Sequence, residues 1–471
     1  MRSAVVVGSG PNGLAAAVEL ARAGVDVTVL EAQPWIGGGT RTIEPFGPGL
    51  LVDHCAGFHP MAVDSPALAG LAEFGLEWAW PEIDAAHPLD DGPAALLHRS
   101  VAETAAGLGA DGPRWERLFG APSRSYPRLA AEVLGPVVHV PQHPLLLGRF
   151  GAPTVLPAVA VARYLRTPQA RALFLGTAAH AMRPLTEVVS SAIGMGILTA
   201  GHHAGWPVVV GGTARLTDAL AAQLRALGGV IETGVEVRSA ADLPPVDAVL
   251  LNLAPPAAVA LYGDRLPAAT RRAYARHRPG PSAFKVDLAV EGGIPWRDPA
   301  VGRAGTVHLG GDATEIVANE RAVARGVMPE RPFVLLGQQY VADPGRSRGD
   351  LHPVYSYAHV PTGYDGDPAR TTEAIIDQIE RFAPGLRERI HEVHVTPPGV
   401  FAAENANFVA GDILTGSKDP RSLLLGPRPG RNPYRTGLRG AYLCSAAVPP
   451  GPGAHGMAGY LAARTALRDL G

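Results

Sequence analysis

The sequence predicts an α/β chain in which an α+β unit is inserted into a domain built on a parallel sheet, and three observations carry that expectation. The chain opens as strand, glycine loop, helix and strand by residue 31. It closes as strand, glycine loop and helix over 441–470. Between these ends, at about residue 280, the hydrophobic period changes from helical to alternating, the mark of antiparallel strand. With 471 residues the chain is too long for one ordinary core, so two or three domains are expected.

Each element follows in order. Ala4-Val5-Val6-Val7 is the continuous apolar run of a buried parallel strand. Gly8 to Gly13 form a loop, Leu14 to Ala23 a helix closed by Gly24, and Val27 to Leu30 a second strand. The stretch 65–200 reads as helical, punctuated by prolines. Leu216, Leu220, Leu224 and Leu227 mark one face of a helix ended by Gly228-Gly229. Strands are expected next at Val230-Ile231, Val235–Val237 and Val249–Leu251. Phe284, Val286, Leu288 and Val290 then alternate with Lys285, Asp287 and Ala289, a half-buried antiparallel strand. Further strands are expected at 306–309, 333–336, 354–358, 393–395 and 441–445, and a last helix at 457–470. The segments 1–64, 204–262 and 401–471 are assigned to one discontinuous domain, and 65–203 with 263–400 to the inserted one.

Composition narrows the partners. Hydrophobic residues are 46% and charged residues 18%, a globular balance with a net charge of −2. No run of Lys or Arg exists to attract nucleic acid or an anionic membrane, and Lys285 and Lys418 are the only lysines. Cys55 and Cys444 form no closely spaced pair, so dithiol chemistry is not expected and a reducing, cytoplasmic setting fits. The apolar run beginning just after Met1 leaves no room for a signal peptide. Val188 to Ala214 carries no charge, but His202-His203, Trp206-Pro207 and its glycines break it as a membrane helix.

Gly8-Ser9-Gly10-Pro11-Asn12-Gly13 is G-x-G-x-x-G between a strand and a helix. The glycines serve the tight turn, the approach of a pyrophosphate and close helix–strand packing, so a Rossmann-type dinucleotide site is expected. Glu31 ends the next strand, where a carboxylate accepts from a ribose hydroxyl. Gly37-Gly38-Gly39 with Arg41 suits a second approach to an extended diphosphate such as that of FAD, the alternative being a plain glycine turn; the C-terminal stretch decides for FAD over NAD. Gly451 to Gly456 repeats the glycine spacing too near the chain's last residue for a second such unit. It is read instead as a helix N-terminus facing a flavin, with its dipole favouring charge on the reduced ring.

Four further stretches, Gly205-Trp206-Pro207 leading to Gly211-Gly212, Pro433–Thr436, Tyr442–Cys444 and His455-Gly456-Met457, complete a pattern. With them, residues 1–42, 204–237 and 401–471 resemble the phytoene desaturase and carotenoid isomerase superfamily of flavoproteins. Within it the chain most resembles the branch labelled pyridine nucleotide-disulphide oxidoreductase-domain proteins. The resemblance implies that Gly8, Gly10, Gly13 and Glu31 bind the AMP half of FAD. It also implies Gly37 to Arg41 along the diphosphate, the Val237 backbone at the adenine, and Gly456-Met457 beside the flavin. Two features depart from the pattern: the arginine expected directly after the glycine pair is displaced to Arg41, and Val448-Pro449-Pro450-Gly451 replaces Thr-His-Pro-Gly.

Hydride transfer to a flavin needs the substrate C–H placed over N5 and little acid–base help. Lys285 falls where similar flavin amine oxidases carry a lysine that holds a water near N5. The alternative is a lysine on the polar face of a half-exposed strand. His59, His180, His203 and Tyr357 are candidate substrate-pocket residues, and no metal site is expected. Pro141 to Leu156 reads as a buried loop in preference to an apolar lip touching a membrane. The leading expectation is an FAD-dependent oxidoreductase that removes hydride from a largely apolar molecule, with oxygen or a quinone reoxidising the flavin. An amine oxidase, a redox-neutral cis–trans isomerase and a non-catalytic escort-type protein are the alternatives; oligomeric state is left open.

Overall fold

The computed structural model describes residues 2–428, 430 and 432–471. Among the described residues, twelve strands build the two large sheets: β1 Ser3–Val7, β2 Asp26–Glu31, β3 Ile83–His87, β4 Ala95–Leu97, β5 Val230–Thr233, β6 Ala248–Leu251, β7 Ser282–Glu291, β8 Ala304–Leu309, β9 Val334–Gly337, β10 Leu351–Val360, β11 Ile390–Thr396 and β12 Ala441–Leu443.

The first sheet is parallel throughout, in the order β12-β6-β1-β2-β5. Its strands come from three stretches far apart in sequence. β1 is apolar and, past Ser3, buried, as a strand inside a parallel sheet requires. Helix Pro11–Arg22 starts with Pro11 at its first turn, earlier than Leu14, because proline's fixed φ suits a helix start. The terminal helix Met457–Leu470 lies against it so closely that a Cβ on Gly459 would sit 1.7 Å from the Asn12 carbonyl. Only glycine permits that crossing.

The second sheet is mixed, in the order β11-β7-β10-β9-β8-β3-β4, with β8 and β3 its parallel pair. On the outward face Phe284, Val286, Leu288 and Val290 pack against Ile375, Ile376 and Ile379 of helix Pro368–Glu380. On the inward face Ala283, Ala289, Tyr355 and Tyr357 meet Phe46, Leu50, Val52, Phe401 and Phe408.

Four expectations need correction. β7 is buried on both faces except at Glu291, not half-exposed, because its polar face is turned to the Phe46, Leu50, Val52, Phe401 and Phe408 side and not to water. The stretch 65–200 is mostly helical but contributes β3 and β4, short strands lacking a β-branched alternation. Val235–Val237 is irregular and continues the chain past β5. The 141–156 stretch is no buried loop: it forms helix Pro144–Thr154, with Phe150 its one buried side chain and Leu145 90% exposed. Among the described residues no single helix is long and apolar enough to cross a membrane; Pro144–Thr154 with Ala158–Tyr164 is so only as a pair bent by 99°.

Candidate nucleotide and redox site

A cavity of about 490 Å³ opens where β1, β2 and β6 end, at the carboxyl edge of the parallel sheet. Gly8, Gly10, Glu31, Gly38, Gly39 and Val237 line it. Gly13 lies behind the lining, where a Cβ would stand 2.0 Å from the Gly8 carbonyl, so its absent side chain lets helix meet strand. Gly37 has φ +109° and turns the chain back toward the loop; its N–H donates to the Ser9 carbonyl at 3.2 Å.

Glu31 is held ready by its neighbours. One carboxylate oxygen accepts from the Ser9 N–H at 2.8 Å and the Ser9 hydroxyl at 2.6 Å; the other accepts from the Gln33 N–H at 2.9 Å. A carboxylate offers about four lone-pair sites, so the three donors orient it and leave capacity for a ligand hydroxyl.

Residues from elsewhere complete the wall. Asn252, just past β6, donates to the Gly8 carbonyl at 3.3 Å and would block a Cβ at Gly8, Gly10 or Gly13 alike. Asn407 braces it, donating to the Asn252 carbonyl at 2.8 Å and accepting from the Ala254 N–H at 2.7 Å. These asparagines were not singled out in the sequence. The available signal was weak: a polar residue ending an apolar parallel strand at the sheet's carboxyl edge.

Three expected contacts fall elsewhere. Arg41 pairs with Glu404, which also lies 3.2 Å from His54, and its guanidinium stands 5.0 Å over the Trp35 ring. Its charge is compensated within the protein, and Gly38 to Thr40 line the cavity in its place. Gly456 and Met457 are packed away from the cavity; a Cβ on Gly456 would meet Ala15 and Ala67 at 2.9 and 3.0 Å. Pro452, Gly453, Ala454 and Ser445 line the wall there. The first N–H of the terminal helix, on Met457, donates to His455 Nδ1 at 3.2 Å.

Lys285 lies on the inward face of β7, 1% exposed, in an ion pair with Asp287 and with Nζ 4.5 Å from the Tyr355 ring centroid. The Tyr355 hydroxyl donates to the Cys55 carbonyl at 2.6 Å, and Cys55 lines the cavity, so the lysine stands one layer behind the cavity wall. Burial pushes the lysine pKa down against Asp287, and pushes Asp287 up to about 6 against Lys285.

Of the proposed pocket residues, Tyr357 faces inward and is the cross-strand partner of Lys285. His180 lies farther along the same sheet face, 2.9 Å from His308. His59 is a buried packing residue, 3.2 Å from the Thr213 hydroxyl, and burial lowers it to about 4. His203 pairs with Asp64 at 2.9 Å and packs on Tyr126, with ring centroids 5.1 Å apart. Neither of these two is on the Lys285 face. Among the described residues no cluster of three or more His, Cys, Asp or Glu side chains is arranged to hold a metal.

Comparison with known proteins agrees with this layout. Residues 6–73 match the NAD(P)-binding Rossmann-like domain family. The fold is shared across 99% of this chain with an oxidoreductase from Methanosarcina mazei, at a TM-score of 0.65 and 18% identity, covering all of that chain. A putrescine oxidase variant gives a TM-score of 0.65 at 17% identity over 100% of this chain and 98% of its own. The parallel sheet with its glycine loop and the inserted mixed sheet are thus a fold this chain shares with these oxidoreductases. Along its length it is similar to mouse pyridine nucleotide-disulfide oxidoreductase domain-containing protein 2, 24% identical over 99% of this chain and 93% of the mouse protein. The rat counterpart is 25% identical over the same shares.

Proposed function

We propose that the chain holds FAD in the 490 Å³ cavity and removes hydride from a small, largely apolar organic molecule. The observation that supports this best is the shape of the wall. Gly8, Gly10 and Gly38 admit a pyrophosphate against backbone, and Glu31 keeps a free lone pair beside it. Asn12 adds a buried Oδ1 that no protein group satisfies. Bound there, FAD supplies the two-electron acceptor, and oxygen or a quinone takes the electrons onward. The protein's part is to orient the substrate and exclude water; the inward face of β7 and β10, next to the Cys55 wall, is the surface suited to that task.

Amine oxidation is the second reading, and the burial of Lys285 favours it. A lysine buried behind the cavity wall and paired with Asp287 can position a water and move a proton at Nζ. We also propose peripheral contact with a membrane. Val140, Leu145, Val155 and Leu156 are exposed around helix Pro144–Thr154, beside the exposed Arg117, Arg149 and Arg163.

The test is anaerobic mixing of the purified yellow protein with amines, alcohols and polyenes, followed at the flavin absorbance band. Bleaching by one of these supports the reading. Bleaching within seconds by NADPH alone would overturn it, since no second complete βαβ unit is present among the described residues to hold that nucleotide.

A further inference from the structure

The nucleotide cavity is short of positive charge. Among the described residues that line it, Glu31, Glu236, Arg238 and Glu404 are the charged ones. Arg238 is taken up by Glu236, which accepts from its Nε at 2.9 Å and its Nη2 at 2.6 Å. Arg41 lies outside the lining and is paired with Glu404. Lys285 is paired with Asp287 behind the wall. A diphosphate entering here meets three carboxylates, and each cation near it already has a partner.

What the wall offers instead is amide. Asn405 follows helix Pro398–Glu404, and its Oδ1 accepts from the Asn407 N–H at 3.1 Å. That leaves its Nδ2 as the free end, without an acceptor among the described residues. A Cβ on Gly38 would stand 3.6 Å from this Nδ2 and 3.4 Å from the Gly10 Cα, so the amide is beside both glycines. Asn252 uses one Nδ2 hydrogen on the Gly8 carbonyl and keeps a second. Asn12 is 7% exposed, and its Oδ1 is buried with no donor. It stands in the first turn of helix Pro11–Arg22, which has neither a side-chain cap nor an acidic residue there, so the N–H groups of that turn are open. All three asparagines line the cavity.

The two kinds of wall answer salt differently. Free Lys or Arg attracts an anion over a distance, and added salt screens that attraction. Amide and backbone N–H groups act on a phosphate oxygen at contact, where little salt intervenes. Beside an excess of carboxylate, the long-range part that salt removes is repulsion.

We propose that the amides of Asn12, Asn252 and Asn405, with the open end of helix Pro11–Arg22, hold the FAD diphosphate without a cation, so that FAD binding does not weaken as salt is added. This rests on the flavin reading above and says how that site recognises its ligand. Asn405 is the member that belongs to neither the glycine loop nor the sheet, so it closes the cavity from the C-terminal segment.

The test is FAD binding by the stripped full-length protein at neutral pH, read from the change in flavin fluorescence as NaCl is raised from about 20 to about 500 mM. The wild type, Asn405→Ala and Asn405→Asp are compared, with the melting midpoint of each protein recorded without FAD. The wild-type Kd should fall, or rise by less than about threefold, over that range. Asn405→Ala removes the free donor, and its Kd should be roughly tenfold higher at every salt concentration. Asn405→Asp keeps the bond from Asn407 and puts a charge where the donor was. Its Kd should exceed that of Asn405→Ala at low salt, and the gap should close as salt screens the repulsion. A wild-type Kd that rises by about threefold or more shows that a cation holds the diphosphate and overturns the proposal. So does an Asn405→Ala protein that binds FAD as tightly as the wild type. If an Asn405 variant does not fold, its midpoint reports that, and the salt response of the wild type still decides. A wild type that takes up no FAD at any salt concentration contradicts the flavin reading itself.

Discussion

At the glycine loop the exposed surface is backbone, while the inward face of the mixed sheet, behind the cavity wall, is side chain. Gly8, Gly10 and Gly38 offer N–H groups and empty space from two short segments. Lys285, Tyr357, His359, His308, His180 and Glu320 come instead from three strands and two helical segments that meet only in the folded molecule. A backbone wall recognises what every dinucleotide shares, the pyrophosphate. A side-chain surface can be re-specified residue by residue, so on the proposed function substrate choice falls to the sheet face and cofactor choice to the loop.

Substitutions can break that division, and the largest effect is expected where the two regions are joined. Arg346 is fully buried and binds Asp53 at 2.7 Å, Asp343 at 3.1 Å and the Val209 carbonyl at 2.7 Å. Arg346→Leu leaves two buried carboxylates uncompensated, so a loss of about 3–5 kcal/mol is expected, read from urea unfolding. Both regions should loosen together, seen as loss of FAD alongside the fall in midpoint.

Lys285→Met should leave FAD bound and slow flavin reduction or its reoxidation in stopped flow. Its cost in stability should be smaller, about 1–3 kcal/mol, because the Asp287 left behind can take up a proton. With Lys285 present, burial already raises Asp287 to about 6, and Lys285 is a group that lowers it, so the variant's carboxyl titrates higher still. A carboxyl whose folded pKa lies above its unfolded value binds protons more tightly when folded, so stability falls as pH rises through that range. The variant's deficit should therefore be smaller at pH 5 than at pH 8. A deficit independent of pH would show that Asp287 finds another partner.

Glu31→Ala acts on the loop alone. Loss of a hydrogen bond to a charged group should weaken FAD retention by about 1.5–3 kcal/mol, roughly tenfold to a hundredfold in Kd. Flavin reduction by a given substrate should be unchanged once the cofactor is saturating. The smallest effect on stability is expected for Leu145→Asp, at an exposed site: within about 0.5 kcal/mol. It should still lower co-sedimentation with lipid vesicles; unchanged sedimentation would remove the membrane proposal.

The same contrast explains which parts of the molecule could be read from the chain. Gly8 to Gly13 and Glu31 act through local geometry, and the strand–loop–helix order around them was legible. Asn252 and Asn407 were not, because each reaches the cavity from a turn distant in sequence, and its partner is the backbone of another segment. The alternation in β7 located the strand but not its surroundings, since period two separates the faces without saying whether the polar one meets water or another domain. His308 and His359 sit in ordinary-looking strands, and only the fold brings them to Glu320 and His180. Gly456-Met457 looked like a helix N-terminus facing a ligand, but Ala15 and Ala67 occupy the space in front of it.

The most direct test of the flavin assignment is release of the cofactor from the purified wild type by heat, with chromatography and mass measurement of what comes off. The expected result is FAD at close to one per chain, and rebinding of added FAD by the stripped protein. Release of FMN or NAD, or a colourless protein that does not take up FAD, would contradict it.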